Sequence, residues 1–188
     1  MSTGAARLHR EMLAAYRACD RYQDEGTVDG PLGRHWFRTD FVRSRAFLFE
    51  FGDWGKSERR RVVFRIRADG RGRATIWRRR DRRTQRYSLA DAVAALTGVT
   101  STVSHCIPTL LMPELGGRTL SHLVALRLVG KDVVGGRPCK ILEGRYPDRD
   151  DCTMRMWIST EVPWVSRVET EAPILPRPFV VEYSGGGV

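Results

Sequence analysis

The stretch Phe37-Arg38-Thr39-Asp40-Phe41-Val42-Arg43-Ser44-Arg45-Ala46-Phe47-Leu48-Phe49-Glu50-Phe51 decides the fold. Its apolar residues recur at every second position, which is the period of a β-strand and not of a helix. From His35 to Arg43 one face carries Phe37, Thr39, Phe41 and Arg43, and the other carries Trp36, Arg38, Asp40 and Val42. After a break the alternation resumes, with Phe47, Phe49 and Phe51 on one face and Ala46, Leu48 and Glu50 on the other. Two strands so patterned pair antiparallel, and a sheet with one apolar and one polar face packs on one side only.

The alternation spreads in both directions. Val62, Phe64, Ile66 and Ala68 oppose Arg61, Val63, Arg65 and Arg67, and Asp69-Gly70-Arg71-Gly72 reads as a hairpin turn into a strand from Ala74 to Trp77. Further strands are expected over 123–129, 139–146, 153–159 and 164–171. Upstream, Leu8, Met12, Tyr16, Cys19 and Tyr22 fall at helical spacing, which predicts an amphipathic helix ending near Asp24-Glu25-Gly26. Between the two sets of strands, Ser88-Leu89-Ala90-Asp91 opens a helix, with Ser88 as N-cap and Asp91 as its N3 acid. A helical piece over 101–106 follows, then Pro108-Thr109-Leu110-Leu111-Met112-Pro113, a short apolar segment whose prolines should bar a regular helix. The expected class is α+β: a curved antiparallel sheet forming a half-open β-barrel, an N-terminal helix, and a helical lid inserted between strands. One domain is expected over 1–172, with 173–188, rich in Pro and Gly, as a loosely ordered tail.

Composition bounds the function. The apolar fraction of 41% suffices for a packed core, and no run of ~18 apolar residues suggests a membrane span. The first residues have no apolar region of the signal-peptide kind, which predicts the cytoplasm for the chain as it stands and the periplasm where a leader has been removed. The formal charge is +10. Arginine excess favours anionic partners or reflects coding bias, and both readings stand. The run Arg78-Arg79-Arg80-Asp81-Arg82-Arg83 lacks interleaved aromatics for base stacking and reads as a solvated loop, so nucleic acid is not expected as a partner. Cys139 and Cys152 either pair or remain half-buried thiols.

Catalytic patterns are missing from the sequence: there is no G-x-S-x-G, no P-loop, no G-x-G-x-x-G and no H-E-x-x-H. Ser104-His105-Cys106 are neighbours in sequence, which places them on different sides of a helix. His9, His35, His105 and His122 show no zinc spacing. No catalytic residue, metal or cofactor is expected, and the chain reads as a non-enzyme. What remains is a wall of Phe37, Phe41, Phe47, Phe49, Phe51 and Phe64, facing either an apolar ligand or an ordinary core. Arg43 shares that face. Either it finds acceptors at the end of a lid helix or the strand ends there and it reaches water.

The residues from Phe37 to Phe51, Ala68-Asp69-Gly70 with Trp77, the segment from Ser88 to Pro113, Gly135-Gly136-Arg137-Pro138-Cys139 and Trp157-Ile158-Ser159 together resemble the LolA-like outer-membrane lipoprotein-sorting family, with its LolB-like and RseB-like relatives. The resemblance covers about 8–171. It implies a half-open barrel whose lidded cavity accepts lipoprotein acyl chains or lipid, with Phe37, Phe41, Phe47, Phe49, Phe51, Phe64, Leu110, Leu111 and Met112 as ligand-binding residues. It also implies an arginine that latches the lid: Arg43 matches, and Arg45 is its rival. The implied partner is a lipid or acyl chain; an envelope protein is a further candidate, and the basic charge adds an anionic membrane surface. The alternatives are a protein-interaction or envelope-sensing module with a filled core and, behind it, a basic nucleic-acid-binding protein. The family pattern calls for a strand after Glu171, where the sequence offers prolines, so a shortened barrel or a more open cavity is expected.

Overall fold

The computed structural model describes residues 3–31, 33–55 and 58–187. Helix α1 (Thr3–Ala18) precedes six strands: β1 (Arg21–Gly30), β2 (Gly33–Val42), β3 (Ala46–Trp54), β4 (Arg60–Asp69), β5 (Arg73–Arg78) and β6 (Arg83–Ser88). Helices α2 (Leu89–Thr97) and α3 (Val103–Leu111) follow, with two short 3-10 turns. The chain closes with β7 (Val124–Val134), β8 (Arg137–Tyr146), β9 (Arg149–Ser159), β10 (Val165–Glu171) and β11 (Phe179–Gly187). The expected class holds: α+β, with one curved, unclosed antiparallel sheet.

The strand order is β6-β5-β4-β3-β2-β1-β11-β10-β9-β8-β7. The chain therefore builds outward from β1 to the edge strand β6, then restarts at the opposite edge with β7 and returns to the centre. The segment joining β6 to β7 must cross from one edge to the other. It crosses over the concave face, and α2, α3 and α1 join the sheet's inward residues in one hydrophobic core. Topology thus makes the insert a cover.

Four expectations need correction. The first helix stops at Ala18, and Tyr22, Asp24 and Val28 are inward-facing residues of β1. Gly26 is what betrays a strand there: a Cβ would lie 2.3 Å from the Phe37 ring and 2.1 Å from the Glu182 carbonyl oxygen, so only a glycine fits between β2 and β11. Second, the arginine run is solvated as expected, but it turns the chain into an unexpected strand: Arg78 ends β5 and Arg83 begins β6. That edge strand is exposed along nearly its whole length, so it shows no apolar alternation. Third, α3 runs through Pro108. The ring removes the donor that would reach the Ser104 carbonyl and crowds the preceding turn, and the Thr109 hydroxyl shares its proton between the carbonyls of His105 (2.7 Å) and Cys106 (3.1 Å) one turn back.

Fourth, the tail expected to be loose carries β11, and the barrel is not shortened. Val180–Gly187 pairs with β1 and Phe179–Glu182 with β10, so β11 joins the two halves of the sheet. Its prolines lie before the strand, in 172–178. As for the thiols, Cys139 and Cys152 are both free, and the register sets Cys139 opposite Ser159.

Candidate functional site

The phenylalanines come into register as a wall. Phe37 lies opposite Phe51, Thr39 opposite Phe49 and Phe41 opposite Phe47, while Phe51 is also opposite Phe64 on β4. Phe37, Phe41, Phe47, Phe49 and Phe51 are buried, Phe64 is half-buried, and all join one core with Leu110, Leu111 and Met112 of the insert. The Tyr183 ring from β11 meets Phe37 edge-on at 5.3 Å. The wall is packed, not empty.

Arg43 leaves the end of β2 and turns under the helices. Its Nε donates to the Cys19 carbonyl at 3.1 Å, Nη2 donates to the carbonyls of Cys19 (2.9 Å) and Tyr16 (3.2 Å), and Nη1 donates to the carbonyl of Leu111 at 3.3 Å. These carbonyls lie at the C-terminal ends of the two helices, where the partial charge is negative. One guanidinium thus ties the ends of α1 and α3 to the rim of the sheet. Arg43 also lies 5.3 Å over the Phe41 ring and 3.8 Å from the Asp20 carboxylate. Arg45, its rival, is exposed on the β2–β3 turn.

An apolar cavity of about 540 Å³ lies elsewhere, between the insert and the later strands. Its lining includes Ala94 and Cys106 from the helices, Tyr146 and Met154 from β8 and β9, and Leu175 and Phe179 around the last connection. None of the nine residues expected to touch ligand lines it. Three of them, Phe41, Phe47 and Met112, border a recess of about 240 Å³ with Arg43. The sequence pattern had no means to find the cavity, because its lining comes from helix, strand and loop residues that share no period.

Sequence reasoning also missed Asp24, a buried carboxyl on β1. It accepts hydrogen bonds from the Tyr22 hydroxyl (2.8 Å) and the Thr39 amide (3.1 Å). Burial pushes its pKa up to about 6 despite those donors. Tyr16 stands beside Tyr22 with ring centroids 5.7 Å apart, and its hydroxyl accepts from the Val165 amide at 3.1 Å. In the cavity wall, burial pushes the Cys106 thiol pKa up and the His105 pKa down, so both groups are held neutral. Among the described residues no group of His, Cys, Asp or Glu is arranged to hold a metal.

No family model and no curated protein matches the sequence. Solved structures do. LprF from Mycobacterium bovis superposes with a TM-score of 0.60 at 11% identity, over 100% of this chain and 94% of that one. The Mycobacterium tuberculosis lipoprotein LppX gives 0.56 at 11%, over 98% and 95%. MucB in the Pseudomonas aeruginosa MucA/MucB complex gives 0.57 at 13%, and there 96% of this chain spans just 56% of the other. Identities this low carry the architecture and nothing finer. The chain has the LolA/LolB/RseB-like fold: a half-open barrel with its insert packed across the open face.

Proposed function

We propose that this protein is a non-enzymatic carrier or sensor that takes up an apolar chain, from a lipid or a lipoprotein, beneath its helical insert. The observation that carries the proposal is the tether at Arg43. A single side chain joins both helix ends to the sheet through carbonyl bonds. The polar bonds at the cover's edge can be exchanged for water at small net cost, and the apolar packing beneath the insert would be replaced by contacts with the incoming chain. The apolar cavity supplies the space in the closed form. With the insert lifted, Phe37, Phe41, Phe47, Phe49, Phe51 and Phe64 would become the floor for the ligand, and Leu110, Leu111 and Met112 the face that closes on it. Arg43 is then the latch. The fold shared with the lipoprotein LppX supports a role of this kind.

The test is uptake and release. Purified protein stripped of lipid should bind a fluorescent fatty acid, and Arg43→Leu should change its release rate several-fold. No uptake by the stripped protein, with nothing recovered by organic extraction of fresh preparations, would overturn the reading. A second reading, a protein-docking module, is favoured by the packed state of the wall and by the MucA/MucB complex. It predicts no fatty-acid uptake and no lipid in organic extracts of fresh preparations.

A further inference from the structure

The net charge of +10 is not spread over the molecule. Between Arg59 and Ser88 stand thirteen arginines and two aspartates, a local net of +11, so the other residues together are net −1. A coding bias toward arginine would not confine the excess to three adjacent strands. Eleven of the thirteen are exposed, the exceptions being Arg65 and Arg78. Carboxylates outside the segment pair with three of them: Glu25 with Arg60, Asp53 with Arg61 and Glu50 with Arg65. Subtracting those three from eleven leaves a surplus of eight.

Register places much of this charge at one rim of the half-barrel. Trp54 is opposite Arg60, and Phe64 is opposite Arg78, which in turn is opposite Arg83. The Arg79 amide donates to the Val63 carbonyl at 2.9 Å, so the β5–β6 turn lies beside the start of β4. The same rim carries the β1–β2 turn and the start of β11, since Asp29 is opposite both Arg34 and Val180. There the connection before β11 lines the apolar cavity and leaves Ile174 83% exposed.

We propose that this basic rim docks on an anionic membrane surface. A bilayer offers a broad plane of phosphates, which suits arginines fanned over two turns and the outer face of three strands. Exposed Trp54 and Ile174 suit the interfacial depth, where amphipathic rings and single aliphatic chains settle. Nucleic acid fits less well, because base stacking needs open ring faces. Here Arg65 lies over Trp77 at 5.8 Å, and Arg60 lies over Trp36 at 5.5 Å and Trp54 at 5.7 Å. Docking in this pose would set the cavity's last connection against the lipid, but the charge argument stands without any cavity ligand.

The full chain is sedimented with vesicles of phosphatidylcholine alone, or with about three-tenths phosphatidylglycerol. Partitioning should be at least tenfold stronger onto the anionic vesicles at low salt and should fall away near 0.5 M salt. Arg80→Glu with Arg82→Glu and Arg83→Glu, all on exposed turn or edge positions, should abolish it. The Ser triple at the same positions should lose about half the effect on a logarithmic scale, and it serves if the Glu triple fails to fold. Arg10→Glu with Arg17→Glu and Lys131→Glu, exposed positions elsewhere, should leave most of the binding. Equal partitioning onto both vesicles, equal loss in the two Glu triples, or displacement of the vesicles by a short DNA duplex would each overturn the proposal. Fatty-acid uptake measured on the same samples separates this failure from failure of the carrier reading.

Discussion

The two halves of the sheet share a fold but not a filling. From β2 to β5 the inward positions are Phe37, Phe41, Phe47, Phe49, Phe51, Ile66 and Ile76, and they are closed off from solvent. From β8 to β10 the inward positions include Leu142, Gly144, Cys152, Met154, Met156, Ile158 and Val168, and Tyr146 packs at their edge. Large rigid rings fill most of the first half, where the insert packs down on them and leaves a recess of about 240 Å³ beside Phe41, Phe47 and Met112. Side chains mostly smaller than phenylalanine line the second, and a cavity of about 540 Å³ remains there, with Tyr146 and Phe179 in its wall. Methionine adapts its shape to irregular space in a way that phenylalanine does not. One half therefore reads as the rigid seat of the cover and the other as the compliant side.

Breaking the rigid half should cost most. Phe49→Ala removes a fully buried ring and should destabilise the protein by about 3–5 kcal/mol in urea or guanidinium unfolding. The strand between the halves is sensitive to pH. The Asp24 carboxyl has its pKa raised to about 6 in the folded state against about 3.9 when unfolded, so the folded protein holds the proton more tightly. Stability should then be greatest below about pH 4 as far as this group is concerned, and should decline by roughly 3 kcal/mol as pH rises to 6 and beyond. Asp24→Asn should flatten that decline and raise stability at pH 7. A slope that persists in the variant would assign it to another group.

The tether should come next. Arg43→Leu leaves the carbonyls of Tyr16, Cys19 and Leu111 without this donor, an expected loss of about 1–3 kcal/mol. Amide exchange should quicken first in α3 and the end of α1, and uniform quickening would mean that the insert does not open as a unit. The smallest effect should come from the compliant half. Met154→Ala, at the cavity wall, should cost about 1–2 kcal/mol because the side chain already lacks neighbours on one side. A loss equal to that of Phe49→Ala would show the second half to be as tightly filled as the first, and the contrast would fail.

The legible parts were those with a strong local period or cap. Phe37 to Phe51 alternate without interruption, and Ser88 caps α2 as its spacing to Asp91 predicts, accepting from the Asp91 amide at 3.1 Å. The illegible parts were strands with weak or mixed faces. β1 carries Asp24 and Gly26 on its inward side, and β6 is exposed almost throughout. β11 follows a run of prolines and ends in glycines, residues that by themselves signal a tail. Each is a strand because its neighbours pair with it, not because its residues prefer to be one.

By itself the sequence determined the alternating wall, the amphipathic first helix, the position of the insert and the confinement of positive charge to 59–88. These follow from period, capping and count, which are local properties. Tertiary structure decided that β1 and β11 meet at the centre, that the insert spans the two edges, and that the apolar cavity lies beside Met154 and Phe179 and not against the wall of Phe37 to Phe64. It also decided the fate of Arg43, since the carbonyls that receive it come from helix ends far away in the chain. Long-range pairing depends on which surfaces bury each other best, and no window of sequence contains both partners.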